Sequence, residues 1–188
     1  RMSEYDSSLR TGLIAINLEE GDSLLSVRIT DGENQIFIGT RQGMGIRFSE
    51  KDVRPMGRDT TGVIGITLKK GNDEVVEMDV VDEKAHLLSV TELGYGKRSE
   101  VTEYRYQGRG GSGVINVKVT EKNGAVVGIK SVTDADQLLL ITQSGMLIRI
   151  KVKDIRETGR AAQGVRVIQL ESGDRVVAVA KLAEPDDT

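Results

Sequence analysis

The 188-residue chain has no cysteine, no tryptophan, one histidine, two prolines and only 3% aromatic residues. Without cysteine it has neither disulfides nor a thiolate metal site, which fits a reducing compartment. With so few aromatics, the core has to be aliphatic. No apolar run approaches the roughly 20 residues needed to span a bilayer, and no basic-then-apolar segment of the signal-peptide kind opens the sequence. No hydrophobic period of 3.6 residues lasts beyond a turn or two, which argues against helices. Neither sign of charge dominates: 26 Lys and Arg against 29 Asp and Glu leave a net charge of −3. Recognition of an anionic partner would have to come from the placement of cations, not from their total.

What is present is alternation with period 2, broken by many of the 22 glycines. Leu13–Leu18, Leu24–Thr30, Gln35–Thr40 and Gly45–Ser49 read as strands separated by turn residues, and a polar connector follows from Glu50 to Thr61. The pattern then restarts. Val63–Leu68, Val75–Val81, His86–Thr91 and Gly96–Ser99 form a second set, and Val114–Val119, Val126–Val132, Gln137–Thr142 and Met146–Lys151 a third. Gly43, Gly94 and Gly145 are each 51 residues apart, as are Gly57, Gly108 and Gly159. The repeats run 11–61, 62–112 and 113–163, with a half repeat at 164–182 (Val165–Leu170 and Arg175–Leu182) and a short acidic tail at 183–188. Four short strands in a unit of about 51 residues predict an all-β, propeller-like array of blades. The sequence then holds three full blades and half of another, part of one larger domain. Open edges at both ends predict edge-strand pairing, either with more of the same domain or with another copy of the chain.

Arginines recur with the same period. Arg47, Arg98 and Arg149 form one column, Arg54, Arg105 and Arg156 a second, and Arg58, Arg109 and Arg160 a third. The last two columns lie in the connectors, where Gly57, Gly108 and Gly159 precede the third; glycine there suggests a positive φ and a close backbone approach. Arginine offers a forked, permanently charged donor that matches phosphate oxygens. A ring of such units would carry cations at regular intervals along its rim. Lys97, Lys151 and Lys153 add charge beside the first column. Asp52, Glu103 and Asp154 recur on the same connectors, so arginine–carboxylate pairing is the plainer alternative.

Nothing in the sequence assembles catalytic chemistry. His86 stands alone and aligns with Gln137, as a packing or surface residue would. Tyr104 aligns with Val53 and Ile155, which predicts a core position. The carboxylates are scattered through turns without metal-ligand spacing. The glycine run Gly108–Gly113 is followed by a strand pattern, not by the helix a phosphate-cradling loop requires.

The segment Gln107-Gly108-Arg109-Gly110-Gly111-Ser112-Gly113 resembles the Gln-Arg-Arg-Gly-Gly-Lys-Gly box of the C-terminal domains of DNA gyrase A subunits, with Gly108 and Ser112 where the box has Arg and Lys. Val53-Arg54-Pro55-Met56-Gly57-Arg58, Gly94-Tyr95-Gly96-Lys97-Arg98 and Ala183-Glu184-Pro185-Asp186 resemble the later blades of that family. The resemblance implies a six-bladed β-pinwheel, in which neighbouring blades exchange strands and duplex DNA wraps around the outer rim. It also implies a bacterial, cytoplasmic, nucleoid-associated type IIA topoisomerase whose other partners are the gyrase B subunit together with the rest of the gyrase A subunit. ATP, Mg²⁺ and the breakage–reunion chemistry would reside in those other parts, so no cofactor and no catalytic residue is expected in this sequence. All nine column arginines, together with Lys97, Lys151 and Lys153, become candidate DNA contacts. The corresponding domain of topoisomerase IV and a propeller serving as a protein-interaction scaffold are the alternatives.

Overall fold

Eleven strands make up the regular structure of residues 2–6, 12–69 and 71–182, which are the residues described by a computed structural model. Three antiparallel hairpins sit where the alternation predicts them. β1 (Gln35–Thr40) and β2 (Met44–Ser49) form the first, β4 (His86–Thr91) and β5 (Tyr95–Glu100) the second, and β8 (Gln137–Thr142) and β9 (Leu147–Lys151) the third. Each runs into a short 3-10 turn that opens the connector, at Glu50–Asp52, Val101–Glu103 and Val152–Asp154. A longer strand lies beside each hairpin: β3 (Val75–Val81) on β1, β7 (Val126–Val132) on β4, and β11 (Val176–Lys181) on β8. Two-residue strands close the opposite edges, β6 (Val114–Ile115) on β2 and β10 (Val165–Arg166) on β5.

The sheet orders are therefore β3-β1-β2-β6, β10-β5-β4-β7 and β11-β8-β9. A sheet is not one sequence repeat. The first sheet takes its hairpin from the first repeat, β3 from the second and β6 from the third. Strands are thus exchanged, as the resemblance implied. β7 packs against both β3 and β11, so the long edge strands gather on one side of the array and the two-residue strands lie on the other, outer side.

This topology corrects the expectation of half a blade at 164–182. That segment completes earlier sheets, giving β10 to the second and β11 to the third. The strands expected at 13–18, 24–30 and 63–68 do not form. In the register of the later repeats, a first strand pairs two hairpins back and a second strand one hairpin back. Among the described residues no such hairpin precedes the first repeat, and Ile14, Val27, Ile29 and Ile64 stay exposed. The expected acidic tail at 183–188 lies outside the described residues.

Period 2 assigns neighbouring residues to opposite faces of a sheet. Leu87 faces a layer between the first and second sheets with Phe37, Val126 and Ile129. Leu88, next in sequence, faces the layer between the second and third sheets with Leu138, Leu140 and Val176. The connectors plug these layers. Tyr104 enters the first edge-on to Phe37, with ring centroids 5.1 Å apart, and Ile155 enters the second. Val53, their equivalent in the first repeat, has no preceding layer to fill and is 37% exposed.

Candidate nucleic-acid interface

The three arginine columns, alike in sequence, have different surroundings. The first turns inward. On β2, Ile46 and Phe48 take one face, and Arg47 between them points to the other. Arg47 is 4% exposed. Its Nε donates to Gln35 Oε1 at 2.6 Å, and its Nη1 donates to the carbonyls of Val101 and Tyr104 at 3.1 and 3.2 Å. Glu83 neutralises it. Arg98 repeats the device one blade later, donating to the Ile155 carbonyl at 2.8 Å and pairing with Asp134, which lies 51 residues after Glu83. Each of these arginines fastens its own blade to the connector of the next. Arg149 keeps the hairpin bond, donating to Gln137 Oε1 at 2.6 Å. The connector that it would clamp is not in this sequence, and its head is exposed.

Lys97 is wholly buried, at a position where the flanking repeats carry Ile46 and Ile148. Its Nζ donates to Ser99 Oγ at 2.7 Å. Burial pushes its pKa down to about 8; Glu103 pulls the other way and Arg160 adds to the lowering. Nearby, the Tyr104 hydroxyl donates to Asn116 Oδ1 at 2.6 Å, and its burial raises its pKa. Neither Lys97 nor the clamps Arg47 and Arg98 present charge to an outside partner.

The third column is half-buried and held by neutral acceptors. Arg58 donates to the Ile14 carbonyl at 3.2 Å. Arg109 donates to the carbonyls of Asp52 and Ile64 at 2.9 and 3.0 Å, and Arg160 to that of Ile115 at 2.8 Å. Among the described residues none of the three guanidiniums pairs with a carboxylate. Carbonyls fix their direction without cancelling their charge.

The second column is open. Arg54, Arg105 and Arg156 are exposed, and among the described residues their side chains make no hydrogen bond or ion pair. Exposed Lys151 and Lys153 share that state. The plainer alternative, in which the connector acids neutralise these arginines, is not what the structure has. Glu103 accepts from the Arg160 backbone N–H at 2.8 Å, and Asp52, Glu103 and Asp154 form no ion pair among the described residues.

Another correction concerns glycine. Gly57, Gly108 and Gly159 do not adopt positive φ. The position that needs glycine comes five residues later. Gly113 has a φ of 71°, and a Cβ there would lie 2.3 Å from the Gly45 carbonyl oxygen, where β6 crosses onto β2. Two further cations, Lys122 and Arg166, face outward from the second sheet although they lie outside every column. The signal for them in the sequence is a break in the repeat, since Ile115 and Ile64 stand where Arg166 does.

The chain matches the profile of the "DNA gyrase C-terminal domain, beta-propeller" over residues 1–31, 34–82, 85–133 and 136–183. It is 47% identical over 188 residues to the DNA gyrase A subunit of Staphylococcus epidermidis, covering 99% of this chain and 21% of that protein. It is 47% identical over 185 residues to its Staphylococcus aureus counterpart, covering 97% of this chain and again 21% of the relative. The chain thus spans about a fifth of the length of the curated relatives it matches. Among solved structures, a DNA gyrase A C-terminal domain superposes with a TM-score of 0.84 at 31% identity, over 93% of this chain and 59% of that one. The C-terminal domain of a DNA topoisomerase IV superposes with a TM-score of 0.90 at 29% identity, over 96% and 57%. With nearly its whole length matched in repeats, its strands exchanged between sheets and two unneutralised arginines per connector among the described residues, the chain belongs to the DNA gyrase C-terminal domain β-propeller family.

Proposed function

We propose that this chain binds duplex DNA along its outer edge, as part of a gyrase A subunit that wraps DNA during ATP-dependent negative supercoiling. The observation that carries the reading is the second column: Arg54, Arg105 and Arg156 recur once per connector and keep their charge free. Arg58, Arg109 and Arg160 stand close by in sequence with their guanidiniums pre-oriented by carbonyls. Cations at fixed intervals, with no base-reading element among them, suit a phosphate backbone that bends past successive blades without strong sequence preference. Breakage and reunion, ATP and Mg²⁺ belong in this reading to the gyrase B subunit together with the rest of the A subunit, in the bacterial cytoplasm. The 47% identity to gyrase sequences favours gyrase over topoisomerase IV.

The test is a low-salt gel shift with the triple variant R54E/R105E/R156E. These side chains hold nothing in the fold, so the expected result is an unchanged melting temperature with binding abolished. Undiminished binding would overturn the reading and leave the protein-interaction scaffold in its place.

A further inference from the structure

Tyr95 opens β5, one strand in from the outer edge of the second sheet, and two cations sit over its ring. The Lys122 ammonium is 5.7 Å from the ring centroid and the Arg166 guanidinium carbon is 5.6 Å from it. Arg166 is on the edge strand β10, in register with Tyr95, and its Nη2 donates to the Tyr95 hydroxyl at 3.3 Å. Both cations are exposed, and among the described residues neither has a carboxylate within ion-pair reach. The cleft they border also includes Glu171, Asp174 and Arg175. Asp174 is engaged by Ser144 and by the Arg175 backbone N–H, and Arg175 by Glu92.

The repeat supplies an internal control. In the first sheet the pair matching Tyr95 and Arg166 is Met44 and Ile115, and Gly71 stands where Lys122 does. The fold therefore accepts apolar residues and glycine at these places. The ring attracts each cation, but two like charges beside one ring with no acid between them leave their mutual repulsion unbalanced. Their arrangement fits a ligand that brings the missing negative charge. The Arg156 carbonyl accepts from the Arg98 N–H on β5 at 3.3 Å, three residues and so about 10 Å along the strand from Tyr95, which makes the cluster and that connector arginine two separate cationic sites on one sheet. A major groove about 12 Å wide, with a backbone on either side, is of the same width as that separation.

We propose that Lys122, Tyr95 and Arg166 form a second phosphate-binding locus, which holds the backbone of the duplex across the groove from the connector arginines. The proposal rests on the DNA-binding reading above. The test compares the chain with its K122Q/R166I variant by fluorescence anisotropy with a labelled duplex over a salt series. R166I installs the residue that the first sheet already carries. The expected result is an unchanged melting temperature, an affinity about 3- to 10-fold weaker, and a slope of log K on log salt that is shallower by about 2, or 0.9 for each phosphate no longer neutralised. Equal affinity and slope would overturn the inference. If R54E/R105E/R156E then still loses binding, the DNA reading stands alone; if it too binds normally, both fall. A third arm adds MgATP at millimolar concentration without DNA. Saturable quenching of tyrosine fluorescence in the wild type, absent from K122Q/R166I, would assign the locus to a free nucleotide and overturn the backbone assignment.

Discussion

Arg98 and Ile155, 57 residues apart, are joined by a 2.8 Å hydrogen bond from Nε to the backbone carbonyl. This bond ties the second hairpin to the third connector, and Asp134 balances its charge. A charge-assisted bond in a half-buried setting contributes about 1.5–3 kcal/mol. R98M is expected to lower the urea-unfolding free energy by about that amount. R149M, whose clamp has no connector to grip, should change it by less than about 0.5 kcal/mol. Equal losses in the two variants would remove the clamp from the account.

Lys97 makes stability depend on pH in a defined direction. Its folded pKa, about 8, lies below the ordinary lysine value of 10.5. Between those values the unfolded chain binds more protons than the folded one, so this group's contribution to stability rises with pH from about 8 to 10.5 and is flat below. K97I, which installs the residue of Ile46 and Ile148, should stabilise the chain near pH 7 by about 1–3 kcal/mol and remove that rise. Denaturant titrations at pH 7 and pH 10 measure both. A K97I protein less stable at pH 7 would contradict the argument.

Arg105 and Arg109 separate binding from folding. Arg105 is free, whereas Arg109 also holds the Asp52 and Ile64 carbonyls. R105A should weaken duplex binding and make the salt slope shallower by about 1, with the melting temperature unmoved. R109A should weaken binding and also cost about 1–2 kcal/mol of stability. Charge reversal across Arg58, Arg109 and Arg160 is for this reason a poor probe of DNA contact, because it disturbs the connectors themselves. Identical melting curves for R105A and R109A would rule out the dual role.

Gly113 and Gly62 are equivalent residues in unlike surroundings. Both have positive φ, 71° and 90°, yet a Cβ on Gly113 meets the Gly45 carbonyl while one on Gly62 meets open space. G62A should cost about 1 kcal/mol, from backbone strain alone. G113A should cost appreciably more, since β6 would have to lift from β2. Chemical denaturation of the two variants checks this, and equal costs would show that strain, not the crossing of the strands, sets the requirement.

The hairpins were legible in the sequence because a hairpin is a local object, with two alternating runs and a turn between them. The crossing strands were legible as strands but not as members of a sheet. Alternation reports which face of Val114 or Val165 is apolar and says nothing about which repeat lies opposite. Residues 13–18 and 63–68 have the pattern of strands and lack the partner hairpins. The arginines show a related limit. A fixed period selects residues that recur, whether they recur for the fold or for a ligand. Arg47 and Arg54 repeat equally well, but only the surroundings separate a guanidinium enclosed by Gln35, Glu83 and two carbonyls from one with no partner. The Tyr95 cluster is the opposite case, since it does not repeat at all and is visible only as a break in the pattern.

The exchange of strands has a consequence for how the array assembles. Repeat proteins whose units touch only their neighbours can fold from any point and lose a unit without losing the rest. Here β2 pairs with β6, some 70 residues later, so the first sheet is incomplete until two full repeats and the start of a third have been synthesised. Coupling reaches the next-nearest unit. Excising the third repeat, which supplies β6, β7, β8 and β9, would take strands from all three sheets at once, and growth of the array is cooperative over a longer stretch of chain than the period itself.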